Sequence, residues 1–302
     1  MNKQKNYGRT LTSDTAATWV FLTPASLILL ITAVAPLCYT IFISFFKYKL
    51  NTPNAVPSFL GFENYAKIFT QRMFWTTLEN TSLFAVLSVA LEIVIGTILA
   101  LMLNNNNKST RVITAILLIP MIMAPVASGS LWRTMLDRST GVINYLISLI
   151  GLEPINFLGS SKFAIYSVMM VDVWRLSPWV CIIVMSALKG ISPSLIEAAV
   201  VDGASRINIV RTIILPLLKP VMMIVLMMRF TDAFKVFDTV YVMTSGGPGT
   251  STEMLPNYIY QQALKYMNVG YASALAILFI ASMALLSCGF IWLRNRAYES
   301  VR

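Results

Sequence analysis

Six long apolar runs constrain the fold of this chain more than any other feature of its sequence. A helix needs roughly 20 apolar residues to cross the hydrocarbon core of a bilayer. Lipid offers backbone groups no hydrogen-bond partner, so helices are the form in which such runs cross it. The sequence therefore predicts an all-α, polytopic membrane protein with about six transmembrane helices. The predicted spans are 18–46, 78–103, 111–132, 164–187, 217–236 and 271–293.

Two of these runs carry further signals. The first follows a basic N-terminal stretch, as the apolar part of a secretory signal peptide does, but it continues to Phe46 and is too long for one. We interpret it as the first membrane helix. The third run contains Pro120 and Pro125, and each proline removes a backbone hydrogen bond from a helix. We expect either a kinked helix that faces a pathway or a helix that is merely packed.

Composition argues against a soluble domain and against a nucleic-acid-binding protein. Hydrophobic residues make up 57% of the chain and charged residues 12%, and the mean hydropathy is +0.70. These values lie outside the usual balance of globular proteins. The net charge of +10 could attract nucleic acid, but no basic helix or basic-aromatic stripe gathers the cations. We expect anionic membrane lipid as the partner of this charge and no nucleic acid.

The distribution of Lys and Arg predicts the orientation. Basic residues accompany both termini and a polar segment at 192–216: Lys3, Lys5, Arg9, Lys108, Arg111, Lys189, Arg206, Arg211, Lys219, Arg294, Arg296 and Arg302. Loops on the other side also contain Lys and Arg, but they are longer and hold more acidic residues. The positive-inside rule then predicts a plasma or inner membrane protein with both termini in the cytoplasm. We expect a cytoplasmic segment at 1–17, a transmembrane domain at 18–293 and a cytoplasmic tail at 294–302.

The polar segment at 192–216 lies between two apolar runs. The tripeptide Ser192-Pro193-Ser194 can begin a helix and Asp202-Gly203 can end it. Ser205 can begin a second helix that runs to Pro216. This pattern predicts two short helices joined by a glycine turn. Small and charged residues around that turn suit docking in the cleft of a cytoplasmic partner.

The order of residues in this segment is also specific. Glu197-Ala198-Ala199 is followed by Gly203 and later by Ile213, Leu215 and Pro216. This order resembles the signature loop of permease subunits from ATP-binding-cassette (ABC) importers, which have the type I importer permease fold. The resemblance implies a cytoplasmic coupling helix that docks on a separate ATPase. The residues that would carry the coupling are Glu197, Ala198, Ala199, Asp202, Gly203 and Arg206.

Two loops on the opposite side extend the resemblance. The third loop is similar to that of carbohydrate importer permeases at Trp132, Gly141, Asn144, Leu149 and Gly151. The fifth loop is similar to the segment before the last helix of maltose-type and glycerophosphodiester-type permeases at Phe237-Asp238, Thr244, Gly246-Gly247-Pro248 and Thr252. The resemblance therefore implies that a sugar or oligosaccharide is the solute.

The same resemblance implies an assembly. A six-helix chain of this family forms half of a transmembrane pathway, so a second homologous permease is expected, as a heterodimer. Two ABC ATPase subunits would bind from the cytoplasm, and an extracytoplasmic solute-binding protein would deliver the solute. The glycine-rich stretch at 246–249 is not followed by Lys-Ser or Lys-Thr and is no phosphate loop. We expect no cofactor and no enzymatic activity in this chain, with ATP and Mg on the partner ATPase.

Several ionisable residues fall inside the predicted spans, where a charge costs from about 3 to over 10 kcal/mol. Asp172 and Arg175 are three residues apart, as are Arg229 and Asp232, which places each pair on one helix face. We predict an internal ion pair of Asp172 with Arg175 and a structural role for Glu92, whereas for Arg229 and Asp232 the spacing only allows the two charges to neutralise each other.

The outer half of the fifth predicted helix combines charges with aromatic rings. A hydroxyl-rich solute could bind planar polar groups and aromatic faces there. The same rings could instead pack against lipid or a partner helix. The candidate residues of the solute pathway are Arg229, Phe230, Asp232, Phe234, Phe237 and Tyr241.

Other functional classes fit less well. Cys38, Cys181 and Cys288 lack metal-ligand spacing and the chain has no His, so we expect no metal site. An intramembrane enzyme would need a nucleophile with a base, and a secondary transporter would show repeated halves, which the sequence lacks. An importer of a phosphate ester or a polyamine stays open. A polyamine site would be acidic, whereas a phosphate-ester site would expose Arg229 or Lys235 unpaired.

Overall fold

The computed structural model describes residues 11–53, 55–104 and 107–299. Of the terminal segments predicted to be cytoplasmic, residues 1–10 and 300–302 lie outside the described residues.

Almost all of the regular structure is helical. The helices are α1 (Leu11–Leu29), α2 (Ala35–Ser44), α3 (Glu63–Thr70), α4 (Arg72–Met102), α5 (Lys108–Leu117), α6 (Ile119–Ile122), α7 (Pro125–Met135), α8 (Val142–Leu149), α9 (Ala164–Leu188), α10 (Pro193–Val201), α11 (Arg206–Ile209), α12 (Leu215–Phe234), α13 (Asp238–Met243), α14 (Leu255–Tyr260) and α15 (Val269–Glu299). Wider π turns occupy Leu30–Val34, Val210–Ile214 and Gln261–Lys265. A two-stranded antiparallel sheet pairs β1 (Phe46–Lys47) with β2 (Ser58–Phe59). The predicted all-α class is confirmed.

Within the described part of the chain, five helical stretches are long and apolar enough to cross a membrane. They coincide with five of the six predicted spans, and a bent pair of helices occupies the remaining one. The second span begins at Arg72, earlier than predicted, because α4 extends into the preceding polar segment. The five stretches are Thr18–Ser44, Arg72–Met102, Ala164–Leu188, Arg206–Phe234 and Val269–Trp292.

The third predicted span is broken. Lys108–Ile122 and Pro125–Met135 meet at an angle of 97°. Ala124 is extended, with ψ of 140°, because a residue that precedes proline is disfavoured in the helical region. Pro125 then begins α7 at a first-turn position, where its missing N–H costs nothing. The prolines therefore divide the span instead of merely bending it.

The fifth span corrects the prediction of two short helices. The first of them exists as α10, but the second does not end at Pro216. It begins at Arg206 and continues as one stretch to Phe234. Pro216 cannot donate to the preceding turn, and the π turn at Val210–Ile214 accommodates it by widening the helix just before it.

The chain divides into two compact units, of which the smaller contains the chain up to Lys67 together with Gln262–Leu278. Its hairpin is held by Asn64, whose buried side-chain amide donates to the carbonyl oxygens of Ser44 at 2.8 Å and Phe46 at 3.0 Å. These bonds satisfy the backbone where the first span ends.

The larger unit consists of Ile68–Gln261 and the chain from Phe279 onward. Within it α4 packs along α9 and α12. Gly96 permits the close approach of α4 to α9, because a Cβ atom there would lie 2.6 Å from Cβ of Val180 and 2.8 Å from the carbonyl oxygen of Ser177. These three helices carry the charged residues described next.

Candidate functional site

Two buried side chains of opposite charge meet between α4 and α12. Arg229 forms a two-pronged ion pair with Glu92, with Nε at 2.7 Å from Oε2 and Nη2 at 3.1 Å from Oε1. The Glu92 side chain is fully buried, and only 5% of the Arg229 side chain is exposed. Buried charges carry a desolvation cost of several kcal/mol each, so they have to be paired. The ion pair links the two helices inside their apolar packing.

Asp172 connects the third helix, α9, to this pair. Its Oδ2 lies 3.4 Å from Nη2 of Arg229, and its Oδ1 lies 3.3 Å from Nη2 of Arg175. The predicted ion pair of Asp172 and Arg175 is confirmed. Asp172 thus bridges two guanidinium groups on different helices.

The charges continue to the surface at the end of α12. Asp232 Oδ2 lies 3.8 Å from Nη1 of Arg229, and Oδ1 lies 3.1 Å from Nζ of Lys235. The Asp232 side chain is 57% exposed. The contact of Arg229 with Asp232 that the spacing allows is therefore present, although Glu92 is the closer partner. We call the six residues the charge network: Glu92, Asp172, Arg175, Arg229, Asp232 and Lys235.

A cavity of about 150 Å³ opens beside the charge network. Three carboxylates and three cations line it, so the charges of its wall are balanced. The buried Nε of Arg175 has no hydrogen-bond partner among the described residues, and it leaves one donor for a bound polar molecule. We call this space the polar cavity; its charged lining residues are Asp172, Arg175, Arg229, Asp232, Lys235 and Asp238.

Aromatic rings flank the polar cavity on one side. Phe237 lines it and stacks on Tyr241, with ring centroids 5.4 Å apart and planes 20° apart. Tyr260 packs against both rings at 5.1 and 5.3 Å. A side-chain hydrogen bond with Tyr241 raises the pKa of Tyr260. The arrangement presents flat apolar faces next to charged groups.

Phe230 and Phe234 lie away from the polar cavity. Phe234 is buried and stacks on Phe279, with centroids 6.1 Å apart. Phe230 packs against Phe290 at 5.3 Å. Both rings join α12 to α15 and line no part of the cavity wall.

The polar segment at 192–216 has a well-defined turn. The N–H of Ala204 donates to the carbonyl oxygen of Ala199 at 2.9 Å, and that of Gly203 donates to Val200 at 3.0 Å. These two bonds close α10 in a Schellman motif, which requires a left-handed residue after the cap. Gly203 provides it, with φ of +80°. The Ser205 hydroxyl then accepts from the N–H of Asn208 and caps the next helix, as predicted.

This segment has an inner and an outer face. Ala199 packs against the apolar core of the larger unit, together with Ile196 and Ala204. Val201 is 86% exposed and Ile207 is 70% exposed. Apolar side chains exposed beside charges are typical of a surface that another protein covers. The predicted coupling residues on the outer face are Glu197, Ala198, Asp202, Gly203 and Arg206.

The third loop is fixed by two polar side chains. Buried Asn144 donates to the carbonyl oxygens of Asp137 and Ile155, both at 3.0 Å, and accepts from the N–H of Ile155. Oδ1 of Asp137 accepts from the backbone and the hydroxyl of Ser139 and of Thr140. The Thr140 N–H, with the Ser139 groups and the Thr140 hydroxyl, holds the pKa of Asp137 well below its ordinary value.

The fifth loop is anchored to α4. The side-chain amide of Asn80 donates to the carbonyl oxygens of Thr250 at 2.9 Å and Glu253 at 3.1 Å. The buried Glu253 carboxylate in turn accepts from Asn257 and Gln261. The glycine-rich stretch at 246–249 thus lies in an ordered loop.

Comparison with known proteins identifies the family. The family described as binding-protein-dependent transport system inner membrane component matches residues 92–297, about two thirds of the chain. The chain belongs to this family. It is a permease subunit, as the resemblance implied.

Relatives of the permease span almost its full length. The trehalose/maltose transport system permease protein MalF of Thermococcus litoralis is 34% identical over 91% of this chain and 92% of its own. The sulfoquinovosyl glycerol transport system permease protein SmoG of Agrobacterium fabrum is 34% identical over 87% of this chain and 85% of its own. The trehalose transport system permease protein SugA of Mycobacterium tuberculosis is 29% identical over 92% and 89%.

Solved structures support the fold. The permease matches a bacterial ABC transporter involved in the import of the acidic polysaccharide alginate, with a TM-score of 0.83 and 24% identity over 95% of this chain and 99% of the other. A second alginate transporter structure, in complex with a periplasmic protein bound to an alginate pentasaccharide, gives 0.84 and 22% identity over 97% and 98%. These matches confirm the predicted type I importer fold.

Sequence reasoning missed part of the site. It assigned Glu92 a structural role without a partner, and it left Arg175 and Asp238 out of the solute pathway. The sequence does place charged residues in three separate apolar runs. Because buried charges need partners, some of these charges have to pair between helices. The spacing of residues along one helix does not show which charges on other helices are their partners.

Proposed function

We propose that this permease forms half of the translocation pathway for a sugar or oligosaccharide in an ABC importer. The observation that carries the proposal is the polar cavity, in which balanced charges stand beside aromatic faces. A neutral, hydroxyl-rich solute can accept hydrogen bonds from guanidinium groups and donate to carboxylates. The ring of Phe237 can cover an apolar face of the same solute. The sugars that several relatives carry in their names support this solute class.

The charge balance favours a sugar over the other two solutes. A phosphate ester would need a free cation, but Arg229 is paired with Glu92 and Lys235 with Asp232. A polyamine would need an excess of acids, and the wall of the polar cavity holds equal numbers of both signs. We therefore propose solute contacts from charged and aromatic residues in and beside the cavity wall. The proposed pathway residues are Arg229, Asp232, Phe237 and Tyr241, with Arg175 added, and Phe230 and Phe234 support them from behind.

The outer face of α10 is the proposed docking site for an ATPase. Val201 and Ile207 supply an apolar contact, and Glu197, Asp202 and Arg206 surround it with charge. The left-handed Gly203 fixes the shape of the turn. Ala198 beside Glu197 leaves room for a partner surface, while Ala199 holds α10 on the core.

The remaining assembly follows from this docking site. A second homologous permease completes the pathway as a heterodimer, and one ATPase binds each permease. ATP and Mg bind to those ATPases, and this chain carries out no covalent chemistry. An extracytoplasmic solute-binding protein delivers the sugar. Both termini lie in the cytoplasm, so that 1–17 and 294–302 flank a transmembrane domain at 18–293.

Affinity purification from the native membrane in mild detergent, followed by reconstitution, tests the proposal. We expect an ABC ATPase and a second permease to copurify. In proteoliposomes with the binding protein, we expect trehalose or maltose to stimulate ATP hydrolysis and to enter the vesicles. Stimulation by spermidine or by glycerol 3-phosphate alone would contradict the solute class. Recovery of the chain without an ATPase, repeated with crosslinking, would contradict the coupling.

A further inference from the structure

A second polar cavity lies at the opposite end of the larger unit from the charge network. It has a volume of about 480 Å³ and opens where α4 ends, α5 begins and α9 ends. The segment at 192–216 begins just after α9, so this cavity lies at the end of the helices that carries the proposed docking site. Nothing in the proposed transport cycle uses it.

The wall of this cavity carries positive charge without compensation. Arg111 on α5 and Lys189 at the end of α9 line it, and none of its described lining residues is acidic. Neither side chain forms an ion pair with another residue in the described part of the chain. This differs from the charge network, where each cation faces a carboxylate.

Hydrogen-bonding groups stand beside the two cations. Asn104 and Thr110 line the same cavity, as does Thr114, whose hydroxyl already donates to the carbonyl oxygen of Thr110 at 2.8 Å. Asn107 caps α5 by accepting from the N–H of Thr110 at 2.8 Å, which fixes the first turn of that helix against the cavity. Hydroxyl and amide groups next to Arg and Lys are the donors that bind phosphate oxygens.

The rest of the wall is apolar. Leu118 and Met185 extend it along α5 and α9 toward the membrane-spanning part of the unit. A ligand that fills this space therefore has an anionic head and an apolar body. A free phosphate ion satisfies only the first of these conditions.

We propose that this cavity binds an anionic phospholipid, with the phosphate headgroup between Arg111 and Lys189 and an acyl chain along Leu118 and Met185. The assignment of this lipid to the cytoplasmic leaflet rests on the proposed orientation of the permease. The lipid bridges the ends of α5 and α9 next to the segment that leads into α10. Its binding is independent of the solute that the permease transports.

Native mass spectrometry of the delipidated full-length chain tests this site. The probes are phosphatidylglycerol, phosphatidylcholine and inorganic phosphate, each titrated separately. We expect one tightly held phosphatidylglycerol in the wild type. Each Lys or Arg near an anionic lipid surface changes affinity about five-fold, so Arg111→Gln with Lys189→Gln should weaken this binding about 30-fold.

A matched variant controls for net charge. Arg211→Gln with Lys219→Gln removes two exposed cations from the same end of the unit, outside the cavity, and should keep the lipid. Ala115→Trp fills the cavity without a change of charge and should lose the lipid. An unchanged size-exclusion profile shows that each variant is folded.

Three outcomes would overturn the proposal. Equal losses in both double variants would mean that phosphatidylglycerol follows net charge only. Equal binding of phosphatidylcholine would mean that the cations play no part. Binding of inorganic phosphate at the affinity of phosphatidylglycerol would mean that the site takes a free anion. Because no transport is measured, failure here leaves the proposed transport function untouched.

Discussion

Arg229 and Glu92 stand 137 positions apart in the chain, yet their side chains form a two-pronged ion pair at 2.7 and 3.1 Å. The pair joins α4 to α12, and Asp172 adds α9 through the same guanidinium group. A single buried cation therefore connects three helices, of which α9 and α12 line the polar cavity. Its removal, or the removal of its main partner, should affect the stability of the whole larger unit.

Glu92→Gln should destabilise the permease by about 3–5 kcal/mol, because it leaves a buried guanidinium without its closest charged partner. Thermal unfolding in detergent measures the change. Glu79→Gln is the control, since Glu79 is an exposed carboxylate on the same helix. The double variant Glu92→Gln with Arg229→Gln should recover part of the loss. Strict additivity of the two single effects would argue against a coupled pair.

Glu197→Lys and Gly203→Asp should each abolish uptake in the reconstituted importer while the chain stays folded and inserted. Glu197 is exposed on α10 and Gly203 in the turn after it, where a reversed or added charge would disturb the proposed ATPase contact. A Cβ at Gly203 would meet no atom of this chain within 4 Å, so the main intramolecular cost is the left-handed backbone. Gly203→Asn, which tolerates that conformation, separates the backbone effect from the added charge. Wild-type uptake by both first variants would refute the docking site.

Asp232→Ala should raise KM for sugar uptake about ten-fold, the effect expected when one hydrogen bond to a charged group is lost. Assembly with the ATPase should not change, because Asp232 is remote from α10 in the chain and half of its side chain is exposed. Radiolabelled uptake in proteoliposomes gives KM, and copurification gives assembly. Glu79→Ala, which removes a carboxylate outside the polar cavity, is the control. Loss of the assembled complex would instead assign Asp232 a structural role.

Gly96→Ala should destabilise the permease by about 1–3 kcal/mol, the usual cost of overpacking a core. The added methyl group would overlap Val180 and the backbone of Ser177, and α4 and α9 would have to separate. Gly289→Ala is a matched change in another membrane helix, where a Cβ meets no atom within 4 Å. Unfolding midpoints of the two variants provide the test. Equal midpoints would show that the close approach of α4 and α9 contributes nothing.

The amides of the third loop should lose their protection against hydrogen exchange at low pH. The pKa of Asp137 is lowered in the folded protein, so its stabilising bonds are fully present above the ordinary Asp pKa of about 4 and are lost as pH falls through the lower folded value. Amide exchange at Ser139 and Thr140, corrected for intrinsic rates, should stay constant from neutral pH to about pH 4 and accelerate below it. Asp137→Asn should show no such acceleration. A wild-type profile as flat as that of the variant would contradict the assignment.

Hydropathy and turn chemistry made much of this fold predictable. The runs that became α9 and α15 had clear apolar boundaries, and Gly203 and Ser205 had the residue types that end and begin helices. These signals are local, because they depend on the solvation of a segment and on backbone conformations that few residues adopt. The position of α10 was predictable for the same reason.

Other features depend on contacts that spacing does not encode. Pro216 is a residue type that ends many helices, and nothing in the sequence indicated that a π turn before it would let the helix continue to Phe234. The sequence also could not show which aromatic rings at the end of α12 and just after it face the polar cavity. Phe234 packs against α15, whereas Phe237 lines the polar cavity. The direction in which a ring points depends on which helices lie beside it, and a single sequence does not show how the helices are arranged.

The stretch from Arg206 to Phe234 runs from the turn after α10 to the charge network without a further loop. At about 1.5 Å per residue it is a rod of roughly 43 Å. A helix resists compression far better than a flexible loop does. A force that an ATPase applied at the Arg206 end would therefore tilt the whole helix and displace its Phe234 end. The π turn at Val210–Ile214 lies near the driven tip. Under the proposed ATPase docking, the long arm beyond it would act as a lever, so that a small displacement at Arg206 would become a larger displacement at Asp232.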